Sequence, residues 1–165
     1  METDKPVAIF IGIDPGSSSG GIAVIECYEG GNNNCYAKEI AKMTDKDIAA
    51  FFQDMRVNME LGIKVKAIIE KVHAVFGSSA KAMFSFGGNF HSIQMAMICN
   101  KISFEFMLPA MWMKDFGMKK EKGEVKTVWK KRLRQRAEQI FPDATIVTNT
   151  SDAVLIAEFC RRKHQ

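Results

Sequence analysis

The stretch IGIDPGSSSGGIAV, residues 11–24, decides the fold of this chain. It continues the apolar run VAIFIGI, residues 7–13, whose β-branched residues predict a central strand that is buried on both faces. Asp14 follows this run directly, and a Gly- and Ser-rich loop then leads into a second apolar run, GIAVIECY, residues 21–28. The pattern therefore predicts two neighbouring strands joined by a tight loop, with a carboxylate at the end of the first strand.

Strand and helix patterns alternate along the rest of the chain. The segment CYAKEIAKM, residues 35–43, is predicted to be a third, antiparallel strand. Thr44 and Asp47 form a capping-box pattern before a helix that ends at Gly62. Further helices are predicted over residues 78–100, 123–141 and 151–163, and further strands over residues 63–72, 103–108 and 144–148. This order predicts an α/β fold with a mixed sheet, in which strand 63–72 lies parallel to the first strand.

The composition is typical of a globular protein with one domain, residues 1–165. Hydrophobic residues make up 47% of the chain and charged residues 25%. No apolar run reaches the ~20 residues that a membrane-spanning helix needs, and METDKPVAIF lacks the pattern of a secretory signal. We therefore expect a cytoplasmic protein without membrane contact. The four cysteines form no CxxC pair, which favours free thiols over a zinc site.

Positive charge is concentrated in one segment. Residues 114–137 contain ten basic and three acidic residues, although the net charge of the whole chain is only +4. Such a segment is typical of a surface that binds a polyanion, but also of an ordinary solvated helix face. Trp112 and Trp129 lie in the same segment, either as stacking platforms for bases or as core residues.

Three carboxylates occur where a surface acid is not needed. Asp14 ends one apolar strand, Glu70 lies in another, and Asp152 begins an apolar helix. If the two strands are parallel neighbours, Asp14 and Glu70 project to the same side of the sheet near its carboxyl edge. Buried like charges raise each other's pKa, and a divalent cation such as Mg²⁺ or Mn²⁺ relieves the repulsion. Taken singly, the three acids also fit a turn cap, an exposed acid and a helix-start residue.

Three motifs resemble those of one nuclease family. GIDPG at residues 12–16, IIEKV at 68–72 and SDAVLIA at 151–157 resemble the motifs of the RuvC-type Holliday-junction resolvases of the ribonuclease H-like superfamily. The resemblance extends over essentially the whole chain in element order and spacing. It implies a mixed five-stranded sheet, with a three-strand antiparallel meander plus parallel strands, flanked by helices. It also implies an Mg²⁺-dependent endonuclease of DNA recombination and repair that cuts four-way junctions symmetrically.

The same resemblance implies the catalytic and metal-binding residues. Asp14, Glu70 and Asp152 would hold two Mg²⁺ ions, for which Mn²⁺ can substitute, with one ion activating a water and the other stabilising the departing 3′ oxygen. Asn149 stands three residues before Asp152, where family members commonly carry a fourth acid. Its amide oxygen remains a candidate ligand. Because an amide adds no charge, the second metal ion would bind more weakly than with a fourth acid. Glu158 lies about 240° around the helix from Asp152 and is not expected to complete the site.

Contacts with branched DNA and with a second copy of the chain also follow from the resemblance. Family positions that contact phosphates are matched by Lys114 and, more loosely, by Lys126, and the position of a stacking residue by His73, with Phe76 nearby. The basic segment adds Lys119, Lys120 and Lys122. The two-fold symmetry of a junction implies a homodimer with one site for each cleaved strand. The dimer helix would carry the seam Met83, Phe86, Phe90, Ile93 and Met97, which is equally compatible with core packing.

Other functions remain open from the sequence alone. The loop after Asp14 also resembles the phosphate loop of sugar kinases and actin-like ATPases, but those proteins need two lobes around ATP, and 165 residues provide one. We therefore expect no nucleotide cofactor. A ribonuclease H-like nuclease acting on other branched DNA or on structured RNA would use the same chemistry. A binding protein without activity is a further alternative, to which only Asn149 points.

Overall fold

The fold is built around a five-stranded mixed sheet. The structure is a computed structural model that describes residues 5–71 and 78–165. The strands are β1 (Ala8–Asp14), β2 (Gly21–Cys27), β3 (Asn33–Glu39), β4 (Lys64–Glu70) and β5 (Phe104–Met107). Their order is β3-β2-β1-β4-β5, with β1, β2 and β3 antiparallel and with β4 parallel to both β1 and β5. The predicted α/β class, the meander and the parallel pairing of β1 with β4 are confirmed.

Helices cover both faces of the sheet. They are α1 (Asp45–Glu60), α2 (Ala80–Cys99), α3 (Pro109–Asp115), α4 (Lys126–Ile140) and α5 (Ser151–His164). One core lies between the sheet and α1 and α2, and the other lies between the sheet and α3, α4 and α5. The strand β1 faces both cores, because Ile9 and Ile11 pack in the first and Phe10 packs in the second. No helix in the described ranges is long and apolar enough to cross a membrane.

The start of α1 follows the predicted capping box. The Thr44 N–H donates to Asp47 Oδ2 at 2.7 Å, and the Asp47 N–H donates to Thr44 Oγ1 at 3.2 Å. The two residues thus satisfy backbone donors that the first turn of a helix leaves without partners.

Two local predictions differ from the structure, and one helix lies where the sequence predicts none. Residues 144–148 form no strand, because the Val147 carbonyl accepts bonds from both the N–H and the hydroxyl of Thr150, which turns the chain into α5. The strand β3 ends at Glu39 rather than at residue 43, and Ile40–Lys42 form a 3₁₀ turn closed by the Met43 N–H bonding the Ile40 carbonyl. The helix α3 was not predicted, and it begins with Pro109 at its first turn, where proline is favourable.

A close contact between helix and sheet is made at Gly12. An added Cβ atom at this position would lie 2.1 Å from the Ala157 nitrogen and 2.2 Å from the Ala153 carbonyl oxygen, both in the backbone of α5. Real Cβ atoms essentially never approach other atoms below 3.0 Å. Glycine at residue 12 therefore allows α5 to pack directly against the backbone of β1.

Replacing this glycine is expected to move α5 away from the sheet. Gly12→Ala should lower the free energy of unfolding by about 1–3 kcal/mol or more, because the added methyl group overpacks a rigid backbone contact. Urea unfolding followed by circular dichroism measures this change. A Gly12→Ala protein as stable as the wild type would contradict the close packing of α5 on β1.

Candidate active site

Asp14 and Glu70 lie next to each other at the carboxyl edge of the sheet. The strands β1 and β4 are parallel, and Ile13 is the register partner of Ile69, so Asp14 and Glu70 are the next residues on their strands. Side chains alternate between the two faces of a strand, and Asp14 therefore shares the face of Phe10, which packs under α5. The predicted placement of these two acids on one side of the sheet agrees with this geometry.

Asp152 reaches the same place from the helix layer. It lies in the first turn of α5, and the Ser151 hydroxyl donates to its Oδ1 at 3.1 Å. Since α5 packs directly on Gly12, its N-terminal turn lies above the end of β1. Burial raises the pKa of Asp14 most, and the charge of Asp152 raises it further. Asp14, Glu70 and Asp152 are all buried, each with less than a tenth of its surface exposed.

Burial and mutual repulsion change the acidity of this cluster. Burial raises the pKa of Asp14 to about 6, and the neighbouring charge of Asp152 adds to this effect. Burial likewise raises the pKa of Glu70 to about 7, and the charge of Asp14 contributes next. Both shifts mean that the charged forms of Asp14 and Glu70 are costly in this environment.

Two hydrogen bonds orient the carboxylates on the strands. The indole Nε1–H of Trp112 donates to Glu70 Oε1 at 3.0 Å, and the Gly16 N–H donates to Asp14 Oδ1 at 3.2 Å. Trp112 and Trp129 are both buried, which favours the core interpretation over that of stacking platforms. The bond from Trp112 to Glu70 could not be predicted, because it depends on how α3 packs beside β4.

The nearest cation to Asp152 is Lys130, which is not among the site residues that the sequence predicts. Its Nζ lies 2.5 Å from Asp152 Oδ2. Lys130 is placed on α4 one turn after the predicted Lys126, so the two side chains share a helix face. The spacing of four residues from Lys126 was the sequence signal that could have identified Lys130. The charge of Lys126 also acts on Asp14 and lowers its pKa.

The donor chemistry of the three acids fits a divalent metal ion. Carboxylate oxygens are the ligands that Mg²⁺ and Mn²⁺ prefer, and a divalent cation would offset the effects of burial and of mutual repulsion that raise the pKa of Asp14 and Glu70. Within residues 5–71 and 78–165, however, no group of three or more His, Cys, Asp or Glu residues is already arranged to hold a metal ion. The ion pair of Asp152 with Lys130 is part of the present arrangement, so metal binding requires side chains to rearrange.

Asn149 and Glu158 have partners of their own. The Asn149 side-chain amide donates to Glu39 Oε2 at 2.8 Å, which holds the start of α5 near the end of β3. Metal binding by Asn149 stays a prediction. Glu158 is buried and pairs with Arg161 and Arg162, and its exclusion from the metal site also stays a prediction.

The predicted basic residues fall into two groups. Lys126 lines a cleft of about 570 Å³ together with Lys130, Lys131 and Arg134, and Ser19 and Asn149 also line it. Lys114, Lys119 and Lys120 instead line a separate groove of about 460 Å³ beside α3. Lys122 lies with Lys119 and Lys120 along an adjoining depression. The predicted residues His73 and Phe76 lie outside the described residues.

Solved structures of a junction nuclease share this arrangement of strands and helices. The Thermus thermophilus RuvC structure matches with a TM-score of 0.56 and 15% sequence identity, over 94% of this chain and 96% of that chain. The chain has the RuvC fold. T. thermophilus RuvC in complex with Holliday junction substrate matches the same RuvC fold with a TM-score of 0.58 and 11% identity, over 95% of this chain and 96% of that chain. No family model and no curated protein sequence matches the chain.

The acidic cluster of this RuvC fold should make stability depend on pH. In the unfolded chain Asp14 and Glu70 ionise near pH 3.8 and 4.5, whereas the folded chain retains their protons up to about 6 and 7. Between pH 4 and pH 7 the folded state therefore binds more protons than the unfolded state. Raising the pH through this window lowers the free energy of unfolding. The loss is at most about 1.4 kcal/mol for each unit by which the pKa differs between the two states.

Urea unfolding in EDTA at several pH values measures this effect. The double variant Asp14→Asn with Glu70→Gln removes both titrating groups and serves as the reference for all other acids. Relative to this variant, the wild type should lose stability as the pH rises from about 4 to about 7. Parallel curves for the two proteins would show that the two carboxyl groups titrate normally.

Proposed function

We propose that this chain is a metal-dependent endonuclease that resolves four-way DNA junctions. The observation that carries the proposal is the meeting of three buried carboxylates at the carboxyl edge of the sheet, from β1, β4 and α5. Clustered acids with raised pKa values are characteristic of functional sites. The RuvC fold supports the choice of nucleic acid as substrate, since one of the matched structures is a complex with a Holliday junction.

In this proposal Asp14, Glu70 and Asp152 hold two Mg²⁺ ions, which Mn²⁺ can replace. When bound, the ions supply Lewis-acid activation of a water and charge stabilisation for the departing 3′ oxygen. The protein contributes fixed positions for its carboxylates. Gly16 donates to one oxygen of Asp14, and Trp112 donates to one oxygen of Glu70. Among residues 5–71 and 78–165, no other hydrogen bond to either carboxylate is seen, so the second oxygen of each is the one we assign to a ligand.

The basic cleft beside the carboxylates provides the contacts to the DNA backbone. Lys126, Lys130, Lys131 and Arg134 surround it, and lysine and arginine side chains bind phosphates without reading sequence. We place the strand to be cut in this cleft. The groove of Lys114, Lys119 and Lys120 lies beside α3 and would hold another arm of the branched substrate.

The central prediction concerns Asp14. Asp14→Asn should abolish Mg²⁺-dependent cleavage of a four-way junction and leave junction binding within about twofold, because the substitution removes a ligand charge without removing a phosphate contact. Asp54→Asn removes the same charge from the exposed surface of α1, on the opposite face of the sheet, and should cleave normally. Gel-based cleavage and binding assays measure both properties. Normal cleavage by Asp14→Asn would refute the assigned site.

Substrate choice is tested by comparing four-way junction, linear duplex, flap and structured RNA at one salt concentration. Phosphate contacts alone bind nucleic acids without regard to branching, so a common salt concentration is needed to reveal a preference for shape. We expect the junction to be cut fastest, with paired nicks. Preferred cleavage of structured RNA or of a flap would assign the same chemistry to a different substrate.

The proposal includes a homodimer. The residues that would form its interface differ from the predicted seam on α2. Ile93 and Met97 of the predicted seam are buried in the core under α2, so they cannot form a surface for a partner. The opposite face of α2 instead exposes Phe84, Met95 and Ile98, at helical spacing with Gly88. Nothing within the described residues approaches the Cβ position of Gly88. A second copy of α2 packing there would cover this apolar stripe and allow a close backbone approach.

The helix α2 would also connect such a dimer to the candidate site. The Asn89 side-chain amide donates to the Pro15 carbonyl at 3.2 Å, directly after Asp14. Two paired α2 helices would therefore hold two acidic clusters in a fixed relation, as a two-fold symmetric junction requires.

Charge on the outer face of α2 should separate the two copies. Met95→Asp or Ile98→Asp places a charge in the proposed interface, and each is expected to shift the protein from dimer to monomer in sedimentation-velocity experiments. Leu61→Asp is the matched control, because Leu61 is similarly exposed at the end of α1. A wild-type protein that is monomeric at the concentrations used for cleavage would exclude the dimer.

A further inference from the structure

One of the three carboxylates is already occupied by a cation from the chain itself. Lys130 Nζ lies 2.5 Å from Asp152 Oδ2, and the Lys130 side chain retains only 20% of its exposure. We propose that Lys130 is a resident cation that holds Asp152 until a divalent metal ion displaces it, and that Lys130 thereby sets the metal affinity of the site. This inference rests on the proposed function, since it takes the three carboxylates as the metal ligands.

The charge of Lys130 attracts all three carboxylates and not Asp152 alone. Burial by itself would lower the pKa of the Lys130 ammonium group, yet the attraction of Asp152, Asp14 and Glu70 raises it. The ammonium group paired with Asp152 therefore also attracts Asp14 and Glu70, and it offsets part of the repulsion among the three buried carboxylates. A divalent ion at the same place would offset more, because it carries two charges and accepts several carboxylate oxygens at once.

The Lys130 side chain can also be displaced from Asp152 easily. Lysine carries its charge on a flexible stem of four carbons and makes no bidentate contact with a carboxylate, unlike arginine. Lys130 projects from α4, which also supplies Lys126, Lys131 and Arg134 to the adjoining cleft of about 570 Å³. An ammonium group displaced from Asp152 therefore remains in the cleft that we assign to the DNA backbone, where a phosphate would accept its hydrogen bonds.

Metal affinity measured without DNA tests the inference. Titration with Mn²⁺, followed by calorimetry, should show that Lys130→Met binds the ion about tenfold more tightly than the wild type, which corresponds to ~1.4 kcal/mol. Lys131→Met is the matched control, because Lys131 is the next residue on α4 and lines the same cleft. It removes the same charge without an ion pair to Asp152 and should change the affinity less than about threefold. Lys130→Arg retains the cation and should bind Mn²⁺ no more tightly than the wild type.

A second measurement uses the wild-type protein and does not depend on the folding of a variant. Amine acetylation with and without Mg²⁺, read by mass spectrometry, reports how accessible each lysine is. The inference predicts that Mg²⁺ increases the acetylation of Lys130 severalfold and leaves that of Lys131 unchanged. Equal acetylation of Lys130 in both conditions would overturn it.

The outcomes separate this inference from the proposed nuclease. If Lys130→Met and Lys131→Met change Mn²⁺ affinity equally, or if Lys130→Met weakens it, Lys130 is not a competitor of the metal, although the wild type can still cleave junctions. If the wild type and all variants bind no divalent ion, the proposed metal-dependent nuclease and the role of Lys130 both fail.

Discussion

The backbone of α5 touches the backbone of β1 at Gly12, and the geometry of the candidate site depends on this contact. No residue with a side chain fits there, because a Cβ atom would overlap the Ala157 nitrogen and the Ala153 carbonyl oxygen. Asp14 lies two residues after Gly12 on β1, and Asp152 lies in the first turn of α5. A short distance between helix and sheet therefore brings together two carboxylates that are far apart in the sequence. The parallel pairing of β4 adds Glu70.

This close packing also determines the electrostatics of the cluster. Asp14 and Glu70 are buried beside each other and beside Asp152, so the ionisation of Asp14 and Glu70 costs free energy. The chain supplies Lys130 at Asp152 and orients Glu70 through Trp112. In the proposed function, the burial that makes ionisation of the carboxylates costly would also favour the binding of a divalent ion. At the proposed metal site, reduced stability without metal and affinity for metal would thus have the same cause.

Much of the fold and the three acids could be predicted because they depend on local patterns. The apolar run before Asp14 indicates a central strand, and the capping box of Thr44 marks the start of α1. Contacts between distant segments could not be predicted in the same way. The pair of Lys130 with Asp152 and the bond of Asn149 with Glu39 depend on how α4, α5 and β3 meet. The β-branched residues near Ile146 favoured a strand, but the hydrogen bonds of Thr150 turn the chain there instead.

A crystal structure of the wild-type protein grown with Mn²⁺ tests most directly whether the three carboxylates form a metal site. The metal is located by its anomalous scattering. We expect Mn²⁺ to be bound by the carboxylates of Asp14, Glu70 and Asp152, at the edge of the sheet where β1 and β4 end. Mn²⁺ bound only elsewhere on the protein, under conditions in which the same preparation cleaves four-way junctions, would contradict this expectation.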